Sequence, residues 1–231
     1  MLDTQYRMRP VISSFPNLAF YKGMLHDAPS VVERPAPPES AYLDPDMPAT
    51  FIAHACLERP YMQSMLNEGE IDIIISIIED LLIRNPDFDA RDIGIISPYA
   101  SQTHRLSEIF SRHTLIGRLD PHTAARSSQV EINTIDGFQG REKRVIILST
   151  VRSNRRGLIG FLTDKRRLNV ALTRAQDALF VVGNEDTLRR ARLPEYKVRD
   201  DNADPDIWKV YLDWMKERGL VRQWQQPQNQ E

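Results

Sequence analysis

The residues best placed to do chemistry are arginines set among polar side chains. Gln5-Tyr6-Arg7-Met8 lies beside the chain start, Thr134-Ile135-Asp136-Gly137-Phe138-Gln139-Gly140-Arg141-Glu142 follows an apolar run, and Arg166-Arg167-Leu168-Asn169-Val170-Ala171-Leu172-Thr173-Arg174-Ala175 has helical spacing. A guanidinium is planar, permanently charged and carries five donors, so the chemistry in view is recognition of phosphate or carboxylate. On the third stretch Asn169 and Thr173 stand four apart, and Arg167 and Arg174 seven apart, so each pair shares a side of a helix. Taken singly these signals are weak, because a Tyr-Arg pair is usually surface and an arginine-rich helix is usually solvated.

Charge sharpens the picture. Between Arg141 and Arg174 ten Lys/Arg face only two acids, Glu142 and Asp164, in a chain whose net charge is −2. A basic stretch inside an otherwise acidic protein suits an anionic partner, the phosphates of a nucleic acid or of a nucleotide. A solvated surface explains the charge alone equally well. No Gly-Lys-Ser or Gly-Lys-Thr occurs, so there is no P-loop to cradle phosphates, and no Gly-x-Gly-x-x-Gly follows a strand. Glu79-Asp80 falls on the polar side of a helix rather than after a strand and reads as solvated, so no metal site is assigned. The single cysteine, Cys56, excludes an internal disulfide and a cysteine-only metal site, which fits an intracellular, reducing compartment. No apolar run approaches the ~20 residues of a membrane span, and the start lacks the pattern of a signal peptide.

These residues need elements to hold them. Short apolar runs at 50–53, 93–96, 130–135, 145–148 and 179–182 predict strands. Helices are predicted over 70–83, ended by Asn85-Pro86, over 101–111, over 166–175, and over 206–218, ended by Gly219. Residues 10–21 form a short amphipathic pattern interrupted by Pro16. Six prolines between Pro29 and Pro48 predict an extended surface loop. Residues 113–128 read as a polar linker and 223–231 as a frayed tail, leaving one domain over 1–222. Strands alternating with helices make an α/β fold with a mostly parallel sheet and helices on both faces. In such sheets ligands collect at the carboxyl ends of the strands, which directs attention to Ser97-Pro98-Tyr99, Thr134 to Glu142, Thr150 to Asp164 and Gly183-Asn184.

In this order the three arginine stretches resemble the later motifs of superfamily 1 helicases, nearest the group of the nonsense-mediated-decay helicase and senataxin. The resemblance extends to Pro10, Phe15-Pro16, Phe20-Tyr21, Gly23, Asn67-Glu68-Gly69-Glu70, Ile93 to Tyr99 with Gln102, Val130 to Glu142, and Gly160 to Ala175. It implies the second of two RecA-like domains, a P-loop-NTPase fold lacking the P-loop, with ATP and Mg2+ held mainly by a first domain. On this reading the chain starts where the second domain starts. Tyr6 would stack on adenine, and Arg7 and Arg174 would reach the γ-phosphate as arginine fingers. Gly140 would admit the nucleotide, Glu142 would bond the ribose or a water, and Gln5 would support that edge. Single-stranded RNA or DNA would cross Ser97, Pro98, Tyr99 and Thr134, braced by Asn169, with Arg152 to Arg156 adding salt-dependent attraction. Arg9 departs from the family, which often has His before the proline.

The whole protein would then be an ATP-dependent helicase of nucleus or cytoplasm, acting as a monomer, and this chain alone would be inactive. Two other readings remain open. One is an adaptor that holds nucleic acid or protein without ATP turnover, which the joint presence of Arg7, Gly140, Glu142 and Arg174 disfavours. The other is a nucleotide-dependent small-molecule enzyme, disfavoured by the missing glycine-rich loop.

Overall fold

The computed structural model describes residues 3–111, 120–193 and 202–225. Its elements run β1 (Thr4–Gln5), α1 (Pro10–Phe20), β2 (His26–Asp27), α2 (Pro29–Val32), β3 (Ala49–Ala53), β4 (Arg59–Tyr61), β5 (Ser64–Leu66), α3 (Glu68–Arg84), β6 (Ile93–Ser97) and α4 (Ala100–Ser111). They continue with α5 (Pro121–Ser127), β7 (Glu131–Thr134), β8 (Lys143–Ser149), α6 (Lys165–Leu172), β9 (Ala175–Gly183), α7 (Glu185–Arg189), α8 (Ile207–Glu217) and β10 (Val221–Gln223). Six strands form one parallel sheet in the order β10-β3-β9-β8-β6-β7.

Strand alternation divides the core between the two faces of this sheet. Ile146 and Leu148 of β8 and Leu179 and Val181 of β9 join a cluster with Ile12 and Phe15 of α1, Leu168 and Leu172 of α6, and Trp208 and Tyr211 of α8. Their neighbours Val145, Ile147, Phe180 and Val182 point the other way, against Ile71 to Leu82 of α3 and Leu106 and Phe110 of α4. Burial on both faces explains why these strands read as continuous apolar runs. The mostly parallel α/β fold with helices on both faces is therefore observed.

Several element boundaries differ from expectation. Helix α1 runs through Pro16, which is buried within it. The proline removes one intrahelical donor, yet Ile12 and Phe15 on the same helix are buried in the core and hold it in place. The proline-rich segment is only partly extended: α2 occupies its start, Val31 and Leu43 are buried, and Asp80 accepts from Ser40 Oγ (2.7 Å) and Ala41 N (2.9 Å). Within the expected linker, Asp120 caps α5 by accepting from His122 N and Thr123 N, with Pro121 preset for the first turn. Arg126 of α5 then donates to the carbonyls of Leu82, Asn85 and Phe88, closing the end of α3; residues 112–119 of the linker lie outside the described residues. Gln223, expected in the tail, closes β10, and Trp224 N donates to Ala53 O (2.8 Å). Residues 226–231 lie outside the described residues.

Two connections fix where Arg174 and Glu142 lie. Helix α6 ends at Leu172 and β9 begins at Ala175, so Arg174 sits in the turn between them rather than on the helix, and its expected side-sharing with Arg167 does not hold. The second connection follows β7. Thr134 pairs with Ser97 at the carboxyl edge of the sheet, whereas Lys143 opens β8 at the amino edge. Residues 135–142 thus cross from one edge to the other, with Phe138 fully buried among Ile96 and Ile146. Gly94 makes the room, because a Cβ there would lie 2.7 Å from Phe138 Cζ.

Candidate functional site

Arg7 and Arg174 line one open groove of about 380 Å³, together with Gln5, Tyr6, Tyr21 and Glu142. It lies at the amino edge of the sheet: Glu142 immediately precedes β8, Arg174 immediately precedes β9, and Lys143 N donates to Arg174 O at 3.1 Å. The residues expected on the nucleotide side thus sit at the amino edge, on the turns entering β8 and β9, and not at the carboxyl ends of the strands.

Gln5 shapes one wall. Its Oε1 accepts from Arg7 N (2.9 Å) and Met8 N (2.8 Å), and its Nε2 donates to Met8 O (2.7 Å) and Asp27 Oδ1 (2.6 Å). A buried amide that satisfies both its ends fixes the backbone turn, and the turn leaves the Tyr6 ring 69% exposed. Arg7 donates through Nε to Glu142 and through Nη1 to Thr173 O (3.0 Å). Arg174 donates to Val170 O (3.0 Å), Arg141 O (3.3 Å) and Thr173 Oγ1 (3.0 Å). Both guanidiniums are thus oriented by fixed carbonyls while retaining unused N–H groups. Burial and the nearby charge of Arg7 lower the pKa of Arg174, a sign of positive charges held close without full compensation. For Glu142, burial acts to raise the pKa, but the hydrogen bond and charge of Arg7, with Gln176 and Arg174, hold it below the usual range.

Glu142 is therefore engaged within the protein, by Arg7 and by Gln176 Nε2 (2.8 Å), and a ribose or water would have to share it. Gly140 is exposed with φ +81°, and no atom lies within 4 Å of a Cβ placed there, so its left-handed backbone rather than crowding selects glycine. Asn169 does not line the groove, but its Nδ2 donates to Tyr21 Oη (3.1 Å), which does.

At the carboxyl edge the expected strand contacts sort themselves by burial. Ser97 and Tyr99 are interior: Ser97 Oγ accepts from Tyr99 N (3.3 Å), and Tyr99 Oη donates to Ile159 O (2.9 Å). Burial also pushes the Tyr99 hydroxyl pKa up. Their side chains are thus part of the framework, and Pro98 alone of the three is partly exposed. Thr134 is half-buried, and its Oγ1 accepts from Gly137 N (3.1 Å). Arg152 is likewise not a free cation, since it donates to Glu58 Oε2 (2.9 Å) and Tyr99 Oη (3.2 Å); Arg155 and Arg156 are exposed.

The carboxylate of Glu70 organises this edge from inside. It is fully buried and accepts from Ser149 Oγ (2.5 Å), Val151 N (2.9 Å) and His54 Nε2 (2.9 Å). His54 Nδ1 accepts from Cys56 N (3.1 Å), which assigns the ring proton to Nε2. Asn67 donates to Val151 O (3.1 Å) and exchanges hydrogen bonds with Gln102. Val151 is thereby held at φ +67°, strained for a β-branched residue. The matched motif contained Asn67 and Glu70, but nothing in their spacing assigned them a task. Gln176, the second residue of β9, was also missed; its amide donates to Glu142, a contact that no spacing in the sequence announces. Among the described residues no group of three or more His, Cys, Asp or Glu could hold a metal ion. No helix among them is long and apolar enough to cross a membrane.

Residues 1–186 match the family model described as an AAA domain. Helicase sen1 of Schizosaccharomyces pombe is 36% identical over 225 residues, covering 96% of this chain and 12% of that protein. The regulator of nonsense transcripts 1 homolog of Drosophila melanogaster is 37% identical over 223 residues, covering 95% and 17%. The DNA polymerase alpha-associated DNA helicase A of Saccharomyces cerevisiae is 37% identical over 204 residues, covering 82% and 28%. The chain thus spans under a third of the length of each of these relatives.

Proposed function

This chain belongs to the AAA domains of superfamily 1 helicases related to Sen1 and Upf1, and from that membership we propose that it is the second motor domain of an ATP-dependent RNA or DNA helicase. The single observation that supports the role most strongly is the groove shared by Arg7 and Arg174, with the exposed Tyr6 ring beside them. A partner domain bearing the P-loop and the magnesium-binding acids would present ATP to this groove. ATP, held there with Mg2+, supplies the phosphoryl group that is transferred to water.

This chain's residues contribute recognition and charge. Tyr6 offers an aromatic face for the base. Arg7 exchanges Glu142 for the terminal phosphate, and Arg174, already anchored by three oxygens, directs its remaining N–H groups at the same charge. Planar, permanently charged donors fixed in advance stabilise charge that develops on phosphoryl oxygens. At the far edge, Pro98, Thr134, Arg155 and Arg156 would touch a single strand mainly through its backbone, giving little sequence preference.

In the two-domain protein, Arg174→Ala should lower strand-stimulated ATP hydrolysis by about 10³-fold or more, with the circular dichroism spectrum and melting temperature of the domain retained. Unchanged turnover removes Arg174 from the reaction. Turnover lost together with the fold would assign it a structural role instead.

A further inference from the structure

Beside the groove, and separate from it, three arginines converge on one carboxylate. Asp177 of β9 is almost fully buried. Arg144 Nε lies 2.7 Å from its Oδ2, while Arg9 Nε and Arg34 Nη1 lie 3.4 and 3.5 Å from its Oδ1. Those two longer approaches are ion pairs without hydrogen-bond geometry: among the described residues buried Arg9 Nε has no acceptor, and buried Asp177 Oδ1 has no donor. No other acid among the described residues pairs with Arg9, Arg34 or Arg144. The cluster therefore carries two positive charges in excess around an incompletely bonded centre. Burial and repulsion by Arg34 and Arg144 lower the pKa of Arg9 against the pull of Asp177, as expected where cations are crowded.

The cluster opens into its own pocket of about 430 Å³, lined by Arg34, Pro35, Arg144, Gln176 and Asp177. Arg144 is fixed for use, its guanidinium 4.9 Å from the Phe88 ring centroid on one side and bonded to Asp177 on the other. Arg9 is tethered to Pro35 O, and Arg34 to Tyr6 O (3.3 Å). Pre-positioned guanidinium forks with unused N–H groups match the paired oxygens of a phosphate. We infer that Arg34 and Arg144, with the buried charge of Arg9 behind them, form an oxyanion site that takes a phosphate group, distinct from the groove of Arg7 and Arg174. The ligand is either free phosphate or pyrophosphate, or the phosphate chain of a nucleotide.

Pyrophosphate binding to the full chain at constant ionic strength, read by isothermal titration calorimetry, tests this. Arg34→Gln and Arg144→Gln should each weaken binding roughly tenfold, the scale of one lost charge-assisted contact. Asp177→Asn should tighten binding, since it removes the internal competitor. If Asp177→Asn fails to fold, Arg34→Gln, at the pocket wall, still decides the matter. No binding by the native chain, or equal binding by native, Arg34→Gln and Arg144→Gln chains, overturns the assignment. So does binding lost in Arg174→Gln but kept in Arg34→Gln, which would place the anion in the nucleotide groove. Displacement of pyrophosphate by ATP in the Arg174→Gln chain identifies a nucleotide as the source; its absence identifies free phosphate. None of these readouts depends on the helicase reading, whose own test is turnover by the two-domain protein.

Discussion

At the scale of single residues, the pairing of Arg7 with Glu142 sets a measurable titration. Burial opposes ionisation of Glu142, but Arg7, Gln176 and Arg174 outweigh it, so its folded pKa is depressed. The contribution of this pair to stability is then complete above the ordinary Glu value of about 4.3 and disappears as pH falls through the lower folded value. NMR titration should place the Glu142 midpoint below that ordinary value, and Arg7→Gln should move it upward. A midpoint unaffected by Arg7→Gln would mean that the pair is not formed in solution. Tyr211 makes an opposite case. It is wholly buried in α8, its hydroxyl finds no hydrogen-bond partner among the described residues, and burial pushes its pKa up. Removing a buried, unbonded hydroxyl while keeping the ring packed at 4.8 Å from Phe15 should stabilise the fold. Tyr211→Phe is expected to gain about 1 kcal/mol, visible as a higher midpoint in urea; a lower midpoint would reveal a partner for the hydroxyl.

Among elements, the junction of α3 with the end of β8 is held by a buried carboxylate. Glu70 gathers Ser149, Val151 and His54 in the interior, so Glu70→Ala leaves several buried donors without an acceptor. A loss of about 3 kcal/mol or more is expected, and Glu70→Gln, which keeps one acceptor, should lose less; equal losses would point to packing rather than hydrogen bonding. This junction also marks where the sequence stops being readable. Strands β3, β6, β8 and β9 were legible because burial on both faces leaves an unbroken apolar run, and α3 because its isoleucines repeat at helical spacing. The shared placement of Arg7 and Arg174 was legible only through the family resemblance, since they stand far apart in the chain. Hidden from spacing were α5, whose signal was the short Asp120-Pro121 start inside a polar stretch, and the end of α6, where Thr173 and Arg174 continue a helical pattern that β9 interrupts. Burial of Ser97 and Tyr99 was equally hidden, because a turn after a strand usually lies on the surface. It lies beneath the loop held by Arg152 and Glu58 here.

For the molecule as a whole, charge is arranged more unevenly than its total suggests. The local excess between Arg141 and Arg174 is partly offset within the chain, by Glu58 on Arg152 in the interior and by Asp136 on Arg167 (2.8 Å) at the surface. Arg155 and Arg156 remain exposed near the carboxyl edge. Strand affinity of the two-domain protein should therefore fall with added salt, and replacing both with Gln should flatten the slope of log K against log salt by roughly one to two. An unchanged slope would move the strand path off this loop. The traverse from Thr134 to Glu142 adds a constraint of another kind. With Phe138 seated in the hollow above Gly94, the two edges of the sheet are joined by a strut of fixed contour length, pinned at its middle. Gly137, Phe138 and Gly140 limit exchange of side chains along it, and its residue count is limited as well. One residue gained or lost in this segment should unhook either Thr134 from its place beside Ser97 or Glu142 from its place beside Arg7.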